Sequence, residues 1–182
     1  AAKAVHDWLG RDAAGYQTFA SVFHAAAQEC APSLPKGGIW CDMNSVAPDT
    51  KRQAAKAIEA AGGRYVDVAV MAPVDPKALG VPLLLSGPAA QEAKELLAAL
   101  GFANSRIVGE DVGRASAIKM IRSVMVKGME ALTFECAAAA REAGVFDEVT
   151  ASLDASEKQT PWAEKIAYNR ERMETHGLRR AA

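Results

Sequence analysis

The stretch ASAIKMIRSVMVKGMEAL, residues 115–132, places Lys119 between Ile118, Met120 and Ile121 in a run that otherwise reads as an apolar helix. Ser123 follows four residues later and Ser116 precedes by one turn, so an ammonium and two hydroxyls share one helix face. Ala115, Ala117, Met120 and Val124 surround that face, whereas Arg122 and Glu130 point elsewhere. A lysine so placed has two outcomes. It snorkels its head to a polar rim, or desolvation weakens its hold on the proton. In the second case the neutral amine can take a proton from a substrate hydroxyl near neutral pH, as a general base does. Spacing alone leaves both outcomes open.

The elements that must position this lysine are legible as periodicities. Residues 1–9 and about 16–31 read as helices, the second through Phe19, Val22, Phe23, Ala26, Ala27 and Cys30, and Pro32, Pro35 and Gly37-Gly38 end it. The apolar run from Ile39 to Met43 passes through a polar loop into a helix with Ala54, Ala55, Ile58 and Ala61 on one side. Asp49 or Thr50 is the expected N-cap, and Gly62-Gly63 the stop. RYVDVAVM and VPLLLSG read as strands, AAQEAKELLAALG as a helix and SRIVGE as a short strand. Strands alternating with helices predict an α/β sheet with parallel members.

From residue 114 to 143 the only glycine is Gly128 and proline is absent, which predicts one helix of about 30 residues, roughly 45 Å long. Residues 145–182 read as mostly helical, with a polar break at SEKQTP and with Trp162 and Tyr168 in PWAEKIAY expected to pack on the long helix. The predicted fold class is therefore α/β followed by all-α, a partial sheet and then a long-helix domain. The expected boundary lies near residue 110, giving an α/β part over 1–110 and a helical part over 111–182.

Composition narrows the partners. Lys and Arg total 21 against 22 Asp and Glu, a formal net charge of -1, so no bulk field favours nucleic acid or an anionic membrane. No apolar run approaches the roughly 18 residues that span a bilayer, and the first seven residues already carry charge, which together predict a cytoplasmic protein without a membrane anchor. Cys30, Cys41 and Cys136 are widely spaced in apolar surroundings and read as reduced core residues. His6, His24 and His176 have neither metal-ligand nor triad spacing, and no metal site is expected. Asp67, inside YVDVAV, is expected to satisfy a loop or pair with a cation.

Three segments in register carry a resemblance. DMNSVAP at 42–48, VDVAVMAPV at 66–74 and GRASAIKMIRS at 113–123 are similar in order and spacing to the β-hydroxyacid dehydrogenases, the family of 3-hydroxyisobutyrate and 6-phosphogluconate dehydrogenases. The last segment resembles the G-x-x-x-x-x-K-x-x-x-N helix that opens that family's all-helical domain. The similarity covers roughly residues 20–155 and points to the 6-phosphogluconate-dehydrogenase-like subgroup, whose C-terminal domain has its own family description. It implies a partial Rossmann-type sheet, an NAD or NADP cofactor, a small hydroxyacid substrate and a homodimer formed through the helical domain.

By the same resemblance Lys119 falls on the catalytic lysine. Ser123 falls where most members have a substrate-holding asparagine, with one hydroxyl in place of an amide. Asn44 and Ser45 fall on the Ser-Thr pair of the loop beside nicotinamide and substrate. Where the family commonly has V-S-G-G against the substrate carboxylate, this chain has Val70, Met71, Ala72 and Pro73. Pro73 has no N–H to donate and Met71 no hydroxyl, so Met71, Ala72 and Pro73 imply a bulkier or more apolar substrate. Ser123 departs from the K-M-x-H-N helix of true 6-phosphogluconate dehydrogenases, and imine reductases, which share the architecture, usually lack the lysine.

The chain contains no G-x-G, so the turn that lets a backbone touch a dinucleotide pyrophosphate is absent from these 182 residues. Only about 38 residues precede the strand that ends the family's nucleotide fold. The expectation is a fragment with an uncovered sheet edge, inactive by itself, whose parent oxidises a β-hydroxyacid. A second expectation, of a different class, is a non-catalytic helical oligomerisation module that has lost its nucleotide site.

Overall fold

A computed structural model describes residues 25–176 of the protein. The helix read over 1–9, the first part of that read over 16–31, His6, His24 and the basic tail beyond His176 lie outside the described residues. The described chain divides into two compact units that meet between Gly128 and Met129.

The first unit is built on a four-stranded sheet in the order β1 (Ile39–Asp42), β2 (Arg64–Val70), β3 (Leu83–Ser86) and β4 (Ser105–Gly109). β1 pairs with β2 and β3 with β4 in parallel, but β2 and β3 run antiparallel, so the sheet is mixed. The reason lies in the connections. A parallel crossover usually runs through an α-helix packed on the sheet, and residues 71–82 supply only a 3-10 turn, Ala78–Gly80. The chain therefore folds straight back. Gly87 makes the next turn with φ +133°, where a Cβ would meet the Tyr65 carbonyl oxygen at 2.8 Å.

Helix α1 (25–30) ends in a 3-10 turn at Ala31–Ser33, whose proline cannot continue an α-helix. α2 (Pro48–Ala60) links β1 to β2, and its first residue corrects the expected cap. Ala47 occupies the N-cap position and Pro48 starts the helix, with φ already set and no N–H to leave unpaired. Asp49 serves in the first turn instead, where a carboxylate complements the helix dipole.

Alternation along the strands assigns two faces. Val66, Val68, Leu83 and Leu85 pack with Ala90, Ala93 and Leu97 of α3 (Ala90–Ala99) on one face. On the other, Tyr65 packs with Val46 and with Ala54, Ala55 and Ile58 of α2, while Ala69 and Leu84 pack with Ala115. Ala115 belongs to α4 (Arg114–Glu142), a 29-residue helix that matches the long helix read from the sequence.

The second unit comprises the rest of α4 with α5 (Phe146–Ser156) and α6 (Trp162–His176). Gly144, at φ +70°, turns the chain between α4 and α5, and the Arg141 guanidinium covers the Phe146 ring at 4.3 Å. Two expectations are corrected. Trp162 and Tyr168 remain about half exposed, and Cys30 and Cys136 are exposed, with Cys41 half-buried. An apolar neighbourhood in sequence is no guarantee of burial on a helix whose apolar residues run around its circumference. Among the described residues no helix is long and apolar enough to cross a membrane.

Leu85, fully buried at the centre of the sheet, is expected to cost about 3 kcal/mol of stability when changed to alanine. Leu96→Ala, at a half-exposed position on α3, is expected to cost less than about 1 kcal/mol. Urea unfolding of the two variants measures the difference.

Candidate active site

The strand register sets three polar residues in a row. Asp42 of β1 pairs with Asp67 of β2, and Asp67 pairs with Ser86 of β3, so all three point to the face that α2 and α4 cover. Tyr65, two residues before Asp67, shares that face. All four are buried.

A cation from α2 closes the row. The Lys51 ammonium lies 2.9 Å from Asp42 Oδ1 and 3.6 Å from Asp67 Oδ1, with no exposed side-chain area on any of the three. It also donates to the Asp42 carbonyl at 2.9 Å. The Tyr65 hydroxyl donates to Asp42 Oδ2. Burial, followed by the charge of the Asp42 carboxylate, drives the Tyr65 phenol far above its usual range, so it stays protonated as a donor.

On the other side the carboxylate of Asp67 receives the start of α4. The Ser116 N–H and hydroxyl donate to it at 2.9 and 2.6 Å, Ser86 Oγ lies 3.3 Å away, and the Ala115 N–H donates to Ser86 Oγ at 3.0 Å. The first-turn amides of a helix have no partner within it and carry partial positive charge. A strand carboxylate and a strand hydroxyl supply the missing acceptors.

The loop after β1 is held by the same carboxylate. The Asn44 N–H and side-chain amide both donate to Asp42 Oδ1, at 2.9 and 3.0 Å. Val46, 1 % exposed, anchors the far side of the loop among Ala54, Ala55 and Ile58. Ser45 is left exposed at the tip. The Lys119 ammonium donates to its hydroxyl oxygen at 2.5 Å, across 74 residues of sequence. Burial, and then the nearby Lys51 charge, hold Lys119 below the ordinary lysine range. A half-buried amine that holds its proton less tightly than an ordinary lysine, with a hydroxyl fixing its direction, can serve as a proton acceptor for a bound alcohol.

The other residues singled out from the sequence take these places. Ser123 donates to the Lys119 carbonyl at 2.8 Å, a bond within the helix that leaves its oxygen able to accept. Met71 packs near Ala115 and Ile118, beneath the turn that carries Lys119. Ala72 is half-buried and Pro73 exposed in the turn after β2. Asp67 pairs with a cation as expected, and in place of a loop it satisfies the first turn of a helix.

Lys51 and Asp42 were not singled out from the sequence. Yet Lys51 stands three, four and seven residues before Ala54, Ala55 and Ile58, on the apolar stripe of α2, the same signal that drew attention to Lys119.

The chain is similar to several known proteins. Residues 140–182 match the family model described as "Domain of unknown function (DUF1932)". A conserved hypothetical protein from Sinorhizobium meliloti is 43% identical with a TM-score of 0.65, over 87% of this chain and 53% of that one. The conserved protein MTH1747, of unknown function and described as structurally similar to 3-hydroxyacid dehydrogenases, is 32% identical with a TM-score of 0.65, over 84% and 57%. An imine reductase from Myxococcus stipitatus in complex with NADP+ is 28% identical with a TM-score of 0.63, over 85% and 57%. The chain thus spans little more than half the length of each.

Asp67→Ala removes a buried partner of Lys51 and Ser116 and is expected to cost roughly 3–5 kcal/mol of stability. Arg64→Ala, which breaks the exposed two-pronged pair with Glu92 (2.6 and 2.9 Å), is expected to cost far less, because solvent screens both partners. Denaturant midpoints of both variants test the ranking.

Proposed function

We propose that the protein is part of an NAD(P)-dependent oxidoreductase that oxidises a β-hydroxyacid-type alcohol, with Lys119 as general base. The observation that carries this reading is the Lys119–Ser45 hydrogen bond at 2.5 Å. It joins the strand-end loop to the helix lysine, the two motifs that resemble the dehydrogenase pattern. The similarity of MTH1747 to 3-hydroxyacid dehydrogenases and the NADP+ held by the imine reductase support the same class.

The residues present fit one end of such a cofactor. Asn44 and Ser45 are exposed at the end of β1 beside Lys119, where they would flank a nicotinamide, whereas no G-x-G turn lies within the 182 residues to hold a pyrophosphate. When bound, the nicotinamide takes up the hydride that leaves the carbinol carbon.

The chain's own residues supply the proton chemistry. Lys119 Nζ accepts the hydroxyl proton as the carbon–hydrogen bond breaks, so the alcohol becomes a carbonyl and the amine an ammonium. Ser45 Oγ keeps the amine's lone pair directed at the substrate. Ser123 Oγ, one turn along α4, offers an acceptor for a substrate polar group. Met71, Ala72 and Pro73, after β2, would offer the substrate an apolar side, which would favour a substrate larger than a short hydroxyacid.

Ile121, Val124, Met125, Met129, Leu132 and Phe134 are all exposed along α4. Apolar area of that extent favours association with a second copy through the helices. The same observation supports the alternative reading, a non-catalytic helical oligomerisation module.

Two measurements separate the readings. Oxidation of a panel of β-hydroxyacids, with cyclic imines in the reverse direction, is expected to be lost by about 10²-fold or more in Lys119→Met with the fold retained. The rate should rise with pH through an inflection below that of an ordinary lysine, because burial and Lys51 favour the neutral amine that acts. Self-association without NADPH binding or turnover by any panel member would favour the module.

A further inference from the structure

Lys51 touches both walls of the candidate site. On one side it donates to the Asp42 carbonyl and carboxylate, three residues before Ser45, and the same carboxylate oxygen accepts both Asn44 donors. On the other it pairs with Asp67, whose carboxylate takes the N–H and hydroxyl of Ser116, three residues before Lys119. The strand-end turn and the first turn of α4 are separate in sequence and belong to different layers. A single ammonium bridges the carboxylates that hold each of them.

The placement is costly for the fold. An ammonium with no exposed area loses its hydration, and Lys51 sits in the N-terminal part of α2, the end at which the helix dipole disfavours a cation. A methionine would fill the same volume beside Ala54, Ala55 and Ile58 without either penalty, but it would leave the buried Asp42 and Asp67 carboxylates without their cation. The charge is therefore matched to a task that packing does not supply.

We propose that Lys51 is the positioning residue of the Lys119–Ser45 pair, its ammonium orienting Ser45 through Asp42 and orienting Lys119 through Asp67 and Ser116. This rests on the reading of Lys119 as the base. Among the described residues, the charged and titratable groups in and beside the cluster include Asp42 of β1, Lys51 of α2, Tyr65 and Asp67 of β2 and Lys119 of α4, with uncharged Ser86 and Ser116 between them. Lys51 repels a second ammonium at Lys119, whereas the two carboxylates favour one. Replacing Lys51 by a neutral residue removes the repulsion and leaves the carboxylates uncompensated. Both changes act in the same direction and make Lys119 hold its proton more tightly.

The test needs no turnover, so its outcome is independent of whether a substrate is found. The lysines of the full chain are reductively dimethylated with ¹³C, and the Lys119 signal, assigned by its loss in Lys119→Arg, is titrated by NMR beside that of exposed Lys77. In the unsubstituted protein Lys119 should titrate below Lys77. In Lys51→Met its midpoint should rise by about one pH unit or more. Amide exchange at residues 43–46 and 115–117 should accelerate by about tenfold in the same variant.

Lys119 titrating together with Lys77 in the unsubstituted protein would overturn the proposal. So would a folded Lys51→Met with midpoint and exchange unchanged. Should that variant fail to fold, Lys51→Arg decides, because it keeps the charge and alters the geometry. A low Lys119 midpoint with faster exchange at 43–46 supports the proposal, and unchanged exchange overturns it. If a substrate is in hand, folded Lys51→Met should lower kcat far more than it raises KM and move the pH inflection upward.

Discussion

An ammonium stripped of its water between two carboxylates on neighbouring strands is stable only if every remaining donor and acceptor around it finds a partner. Lys51, Asp42 and Asp67 meet that condition through Tyr65, Asn44, Ser86 and Ser116. The result ties together five elements, β1, β2, β3, α2 and α4, at the point where the Lys119–Ser45 pair emerges. A half-satisfied version of this network would be worse than an apolar core, so the strand register and the entry of α4 onto the sheet are constrained together.

That constraint explains why the site can combine a mobile-looking location with fixed geometry. Ser45 is exposed on a loop, yet Asp42 holds the residue before it and Val46 anchors the residue after it. Lys119 lies one turn into a 29-residue helix whose first amides are held by strand side chains, so the lysine is presented by a rigid rod with a pinned end. Chemistry of the general-base kind tolerates little misplacement, and sites supported by strands and helices hold their geometry better than sites built on loops alone.

Much of this was legible in the sequence, for physical reasons that can be named. Gly62-Gly63 stopped α2 and the long glycine-poor run forecast α4, because backbone propensity is local. Lys119 was conspicuous because a charge amid Ile118, Met120 and Ile121 violates the apolar pattern. Lys51 violates the pattern of α2 in the same way, but the neighbouring Lys and Arg of TKRQAAK make a charge there look solvated. The antiparallel turn from β2 to β3 was concealed by strand signals that carry no direction. The exposure of Trp162, Tyr168, Cys30 and Cys136 was equally hidden, because burial depends on which surfaces meet and not on the residue types beside a position in sequence.

The sequence by itself determined the elements, the order of the three motifs and the presence of a lysine on an apolar helix face, all of which depend on interactions between residues a few positions apart. Tertiary structure decided the rest. Only the strand register could bring Asp42, Asp67 and Ser86 into one row, and only the packing of α2 and α4 on that row could set Lys51 inside it and Lys119 beside Ser45, 74 residues away. Whether a lysine becomes a snorkelling surface charge or a half-buried amine that holds its proton less tightly depends on the water it loses and the charges it meets. Both are properties of the assembled interior, to which distant parts of the chain contribute together.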